Sequence, residues 1–331
     1  MADNIWPGGF FSFMVFTPMF LAYVFSEFNV YLAVVVLKLI LFIFTLLTAF
    51  LLYRITQKIK PAYAEFVLLF TLFNPAILYI NYFWAQLDIL PVFFFTLGYA
   101  LLRYVDFGGS NWKRYLLGFF PIMISAFIYR YPLILVPALV LYDSGNFRQK
   151  TSMLLIAIGQ AAAMFGAEYL LYRGGMYGYV SALSGDVINM SGIQGFQYWI
   201  GIPQVPYLLL LLGLGVAVPL ILKRFAYNES STLFVVLLLF IYTSAVPLPD
   251  YLLWIYPLGI LIALTSLSRL SFTKRLLLTG LPLYVGLFFI SFIIGNGVQA
   301  GLFFFAYPLL RQDVAFFTTP ESYGTFVFVF N

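Results

Sequence analysis

The chain has 331 residues, 63% of them apolar and 9% charged, with a mean hydropathy of +0.99, values outside the soluble globular range that point to a helical membrane protein. Its net charge of +5 comes from clustered Lys and Arg, which read as an orientation signal and imply no nucleic-acid partner. Cys and His are both absent, so disulfides, thiolate metal sites and the commonest metal ligand and general base are excluded, and catalysis would rest on carboxylates, Arg, Lys, Tyr or lipid-borne groups.

In chain order, Trp6 to Phe25 comes first and is expected to be an interfacial or re-entrant segment, because Gly8, Gly9 and Pro18 weaken it as a spanning helix. It lacks the basic start and Ala-x-Ala cleavage pattern of a signal peptide. The clearest spans follow at Val30 to Tyr53, Ala64 to Tyr82 and Leu87 to Leu102; several of the chain's spans fall short of the roughly 20 residues of a perpendicular crossing, so their polar outer ends are expected to dip below the membrane surface. Further runs lie at Thr151 to Leu171, Val205 to Leu222, Thr232 to Val246, Tyr251 to Ser268 and Leu276 to Ile294. The runs are continuous where β-barrel strands would alternate, which favours helices despite 39 Phe and 25 Tyr.

Lys and Arg gather in every second connection: Arg54 to Lys60, Arg103 to Arg114, Arg148 to Lys150, Lys223/Arg224 and Arg269 to Arg275. The connections between them, around Phe83 to Asp88, Tyr129 to Pro132, Arg173 to Pro203, Val246 to Asp250 and Gly295 to Gln299, are poor in both. That bias assigns the basic set to the cytoplasm and the other to the outer or lumenal side, where chemistry is expected. Charge parity then demands two passes, or a re-entrant hairpin, between Arg114 and Arg148. Its arms, Tyr115 to Tyr129 and Pro132 to Tyr142, are each too short to span alone, which is tolerated where backbone faces protein or a water-filled cavity. The expected fold is all-α: a polytopic bundle of about 10–12 membrane segments, forming one membrane domain over 1–331. Residues 6–25 are interfacial or re-entrant, 26–294 form the bundle, and 295–331 are unassigned.

Ionisable residues near bilayer depth are costly and mark function. Asp88, in Asn81-Tyr-Phe-Trp-Ala-Gln-Leu-Asp88, is either a helix N-terminal carboxylate favoured by the macrodipole or part of a polar pocket with Trp84 and Gln86 that grips a sugar or head group. Arg130, beside Tyr131 at the hairpin apex, either snorkels to the interface or offers its fork to a phosphate. Lys38 has room to snorkel, and is otherwise a second phosphate ligand. Asp250 and Tyr251 open a helix that carries Trp254; Asp250 is either an N-cap or a donor-site group. Glu168 and Arg173 read as a structural pair. Asn189-Met-Ser191 matches a glycosylation sequon on the outer side, and Asn228-Glu-Ser230 matches on the cytoplasmic side.

These stretches resemble, in order, the integral-membrane glycosyltransferases of the C superfamily that use polyprenyl-phosphate sugars. Trp6-Pro-Gly-Gly-Phe-Phe is similar to the Tyr-Pro-Pro-type segment ahead of the second transmembrane helix, and Leu37-Lys-Leu-Ile through Leu51-Leu-Tyr-Arg54 to that helix. Phe73-Asn-Pro-Ala-Ile-Leu with Phe83-Trp-Ala-Gln-Leu-Asp88 resembles the Asn-Pro helix and the outer Gly-Gln-Phe-Asp motif. Phe127-Ile-Tyr-Arg-Tyr-Pro resembles a Phe-Lys-Tyr-Pro motif, and Pro249-Asp-Tyr-Leu-Leu-Trp-Ile-Tyr-Pro257 a His-Pro-Gln-Tyr-Leu-Leu-Trp motif. The likeness runs from about Trp6 to Leu270. It implies a polyprenyl-phosphate sugar as donor, Arg130 on the lipid phosphate, and Trp84, Gln86, Asp88, Tyr131, Asp250, Tyr251 and Trp254 around the sugar.

The chain departs from that pattern. The family's first helix and the outer loop with its catalytic Asp lie upstream of the Pro-Pro-type segment, where this sequence has only Met1 to Ile5 and the carboxylate of Asp3. The motif His is replaced near Asp250, and Thr45 stands where the second helix often has Asp. The expectation is a chain incomplete at its N-terminus, with Asp3 and Asp88 the only catalytic candidates, or the scaffold without the chemistry. Three functions follow: hexose transfer to a lipid- or protein-linked acceptor on the outer or lumenal face of a plasma or endoplasmic-reticulum-type membrane; a non-catalytic relative that binds a lipid-linked sugar or stabilises a partner membrane subunit; or a lipid or solute transporter.

Overall fold

The computed structural model describes residues 17–18, 21–22, 24–25, 30–78, 81–82, 87–128, 132–171, 204–225, 228–243 and 251–265. Every regular element among them is helical. The expected segment 6–25 falls largely outside these residues, and the run Leu276 to Ile294 and the stretch 295–331 fall wholly outside them.

Helix α1, Val30–Ile59, passes the expected end at Tyr53 by more than a turn. Arg54, Gln57 and Lys58 end the apolar run without ending the helix, since cations are favoured in a last turn. Of the described residues, only the stretch Val34–Ile59, 26 residues, is long and apolar enough to cross a membrane by length and composition. Its threonines face inward: Thr45, Thr48 and Thr56 are buried with Leu41, Ala49, Leu52 and Ile55, while Leu39 and Phe50 are each 55% exposed. Each threonine hydroxyl donates to the carbonyl four residues earlier, at 2.7, 2.8 and 2.7 Å, which satisfies it where no water is available.

The expected span Ala64 to Tyr82 is divided. A 3-10 turn, Pro61–Tyr63, leads into α2, Ala64–Leu72, and α3 restarts at Pro75–Leu78. The break at Phe73-Asn74 has a local cause: Pro75 lacks an N–H and clashes with a preceding turn, yet suits a first helical position. Asn74 serves as the new start, its Oδ1 accepting from the Ile77 amide at 3.4 Å.

Helices α4, Ile89–Arg103, and α5, Asn111–Ile128, pack closely against each other. Gly98 and Gly118 make that approach possible, because a Cβ on Gly98 would lie 2.5 Å from the Gly118 carbonyl oxygen and one on Gly118 would lie 2.5 Å from Leu102. Ser125 Oγ donates to the Pro91 carbonyl at 2.6 Å, which fixes an antiparallel register. The expected first hairpin arm is longer than its apolar residues suggest, since α5 begins at Asn111 and its 18 residues rise about 27 Å. The second arm, α6, Pro132–Leu141, has 10 residues and rises about 15 Å, half a bilayer core.

Helix α7, Phe147–Leu171, begins with a reciprocal cap in which Asn146 N–H donates to Gln149 Oε1 at 2.9 Å and Gln149 N–H to Asn146 Oδ1 at 3.0 Å. Helix α8, Gln204–Arg224, descends beside α6, with Gly215 against Ile134. Helix α9, Glu229–Thr243, is capped by Asn228, whose Oδ1 accepts from the Ser231 amide at 2.9 Å; the inner sequon is therefore a helix cap. Helix α10, Tyr251–Thr265, is buried from Leu253 to Leu264, as a helix apolar on all sides should be.

Four of the five basic clusters meet at one end of the bundle. Lys58 Nζ donates to the Tyr104 carbonyl, Arg103 and Arg114 reach Asp143, and Lys150 and Lys223 both donate to the Leu141 carbonyl. The fifth, Arg269 to Arg275, lies outside the described residues. The opposite end holds the start of α4 and the end of α5.

Candidate functional site at the Asp88 end

Asp88 occupies the N-cap position of α4, yet its side chain makes no hydrogen bond to that helix. Trp254 Nε1 instead donates to Asp88 Oδ1 at 3.1 Å, across 166 positions of sequence. Asp88 is 0% exposed, and its Oδ2 is buried with no partner among the described residues. Leaving such an oxygen unfilled costs about 1–3 kcal/mol. Asp88 is thus a carboxylate at a helix N-terminus, where the dipole of α4 favours a negative charge, and its Oδ1 is also bonded to another helix.

Helix α10 presents this donor because its side chains diverge by about 100° per residue. Trp254 points to α4, its ring 6.5 Å from that of Phe95. Two positions on, Tyr256 points to α2, its hydroxyl 2.8 Å from Thr71 Oγ1 and its ring stacked 5.9 Å from Phe70. Helix α10 is therefore held on two sides, against α4 through Trp254 and against α2 through Tyr256. Asp88 lies in the turn before α4, and burial pushes its carboxyl above the usual carboxylate range, with the Trp254 hydrogen bond opposing that shift. A carboxylate so placed accepts a hydrogen bond from a hydroxyl, or its proton, through the unfilled Oδ2.

Of the sequence-selected residues, the structure brings together Asp88 and Trp254. Tyr251 opens α10 one turn before Trp254; its side chain is outside the description. Asp3, Trp84, Gln86, Arg130, Tyr131 and Asp250 lie outside the described residues, as do Arg173 and the sequon at Asn189, and so does the Glu168 side chain. The residues flanking Arg130 and Tyr131 are described: Ile128 ends α5 and Pro132 begins α6, and the register of α5 on α4 sets Ile128 level with Asp88. Lys38 sits half-buried in α1, remote in sequence from this pair.

Sequence reasoning passed over two groups. Asn81 is fully buried, donates from Nδ2 to Thr45 Oγ1 at 3.0 Å and leaves Oδ1 without a partner among the described residues. The signal was its place at the head of the Asp88 motif. The second group is an ionic network at the basic end. Arg103 Nη1 meets Asp143 Oδ1 at 2.9 Å; its Nε and Nη2 meet Glu229 at 2.5–3.0 Å, and Nη2 also donates to the Leu139 carbonyl at 2.6 Å. Arg114 Nη2 and the Tyr115 hydroxyl both donate to Asp143 at 3.1 Å. Here each charge is paired, which suits a brace.

Comparison with protein-family models, with curated proteins and with solved structures found no match in any of the three.

Proposed function

We propose that this chain is a polytopic membrane protein whose Asp88 end takes a hexose from a polyprenyl-phosphate sugar and passes it to an acceptor on the outer or lumenal face. The membrane part is supported by the distribution of side chains. On α1, α5, α7 and α8 large apolar residues such as Leu39, Phe50, Phe120, Leu155 and Ile221 are exposed, while Thr45, Thr48, Thr56, Asp88 and Asp143 are buried. Contiguous apolar exterior on this scale marks an interacting surface, and lipid contact accounts for it on several helices at once.

The observation that carries the sugar part is the Asp88–Trp254 hydrogen bond. It joins the two stretches, Phe83 to Asp88 and Pro249 to Pro257, that resemble separate motifs of one glycosyltransferase superfamily, and it leaves Oδ2 without a partner among the described residues. In the proposed transfer, the acceptor hydroxyl gives its proton to Asp88 as its oxygen forms the bond to the sugar C1. The C1–O bond to the lipid phosphate breaks, and the phosphate leaves with that electron pair. Arg130 is the cation proposed to neutralise it. The base gains one proton and the anionic charge passes to the leaving group, so the step balances without a metal.

Complete burial of the Asp88 carboxylate favours one second reading, in which it holds a sugar hydroxyl without abstracting a proton and the chain is a binding relative. Transfer of radiolabelled hexose from polyprenyl-phosphate donors by the purified protein in lipid decides between them. Asp88→Asn is expected to lower transfer by about 10²–10⁴-fold with donor binding kept within a few-fold. No transfer by either form, with donor binding that Asp88→Asn weakens, establishes the binding relative. Neither transfer nor donor binding by the wild-type chain overturns both readings.

A further inference from the structure

We propose that Lys150 and Lys223 form a binding site for the phosphate of an anionic membrane lipid, at the basic end and opposite to the Asp88 site. The inference rests on the membrane reading and not on the sugar reading. The two ammonium groups come from different helices, the first turn of α7 and the last turn of α8, and converge on one acceptor: the Leu141 carbonyl, at 2.9 Å from Lys150 Nζ and 2.6 Å from Lys223 Nζ. That oxygen ends α6, where the partial negative charge of a helix C-terminus attracts cations. One carbonyl holds two full positive charges together and neutralises neither, and each ammonium keeps further donors.

The carboxylates nearest in the fold are committed elsewhere. Asp143 accepts from Arg103, Arg114 and Tyr115, and Glu229 from Arg103. Among the described residues neither lysine takes part in an ion pair. Lys223 lies beside the Tyr142 ring at 5.5 Å, which adds aromatic electron density and no charge.

The surroundings identify the anion as a lipid head group. Residues three and four apart share a helix face, so Lys150 lies on the face that carries Phe147 and Leu154, and Lys223 on the face that carries Leu220; all three apolar side chains are exposed. Each lysine thus stands where a strip of exposed apolar surface reaches the basic end. A phosphate bridging the two ammonium groups would leave its acyl chains along those strips, a lipid-recognition geometry in which a Lys near an anionic surface contributes about 1 kcal/mol.

The test is lipid binding to the purified protein in detergent, titrated with phosphatidylglycerol, phosphatidylcholine or inorganic phosphate and followed by native mass spectrometry. Wild-type protein is expected to retain phosphatidylglycerol in preference to phosphatidylcholine, with affinity about 30-fold weaker in Lys150→Gln/Lys223→Gln and unchanged in Lys58→Gln. Equal loss in Lys58→Gln would mean general attraction to the basic end and would overturn the site; so would binding of inorganic phosphate as tight as the lipid's. The single variant Lys223→Gln, with one ammonium left on Leu141, covers the case in which the double variant does not fold. A wild-type chain that needs detergent but shows no lipid preference overturns this site alone, whereas one that is soluble without detergent removes the membrane reading beneath it.

Discussion

At the basic end, Arg103 meets two carboxylates and a carbonyl and Asp143 is held by two guanidinium groups and a tyrosine. At the opposite end, Asp88 accepts from the Trp254 indole and keeps its Oδ2 unfilled among the described residues. Both ends bury charge, at a cost of several kcal/mol per ion unless it is repaid by partners. The difference lies in the repayment. A network whose charges are all paired holds α4, α5, α6 and α9 together, and leaves one buried guanidinium N–H, Arg114 Nε, and no carboxylate oxygen without a partner among the described residues. A carboxylate repaid only in part is a poor brace, and it retains the capacity to bind.

Substitutions should separate the two ends. Arg103→Leu would leave the half-buried Glu229 without its cation and take one of two guanidinium groups from the buried Asp143, and is expected to cost about 3 kcal/mol, read as a lowered thermal midpoint in detergent or nanodiscs. Donor binding per folded molecule should stay unchanged. Gly98→Leu drives a side chain into the Gly118 backbone, at a cost of about 1–3 kcal/mol, and should lower the midpoint without altering the paired charges. A midpoint equal to that of the wild type would mean that α4 and α5 do not meet at those glycines.

Trp254→Phe keeps the ring against Phe95 but removes the indole donor to Asp88. A stability loss of about 1–3 kcal/mol is expected, together with a drop in hexose transfer larger than the stability loss explains. The smallest effect concerns pH. Burial raises the Asp88 carboxyl in the folded chain, so its contribution to stability is fully present below the unfolded value and is lost as pH rises through the folded one. Between acid and neutral pH the wild-type midpoint should fall relative to that of Asp88→Asn, while transfer, which needs the ionised base, should rise. Parallel curves for the two proteins would remove the raised carboxyl from the account.

The ends themselves were legible in the sequence, because Lys58, Arg103, Arg114, Lys150 and Lys223 mark connections that the fold brings to one side. Helix limits were less so. The apolar run stops at Tyr53 while α1 continues to Ile59, since a cationic last turn extends a helix without extending its hydropathy. The division of Ala64 to Tyr82 was written in Asn74-Pro75, but apolar residues on both sides concealed it. Asp88 and Trp254 were each selected for their own setting; their hydrogen bond depends on how α10 packs between α2 and α4, which no local pattern encodes. The Arg103 network went unread for a related reason. A charge-bias reading counts Lys and Arg and gives little weight to acids, so it weighs neither Asp143 nor Glu229, the partners of those cations.

The most direct measurement is the initial rate of hexose transfer from a polyprenyl-phosphate donor, per folded molecule, for wild type, Asp88→Asn and Arg103→Leu reconstituted side by side. The account predicts a rate reduced by about 10²-fold or more for Asp88→Asn and held within a few-fold for Arg103→Leu despite its lower stability. An unchanged rate for Asp88→Asn, or an equal loss in Arg103→Leu, would contradict the division of the molecule into a braced end and a reactive one.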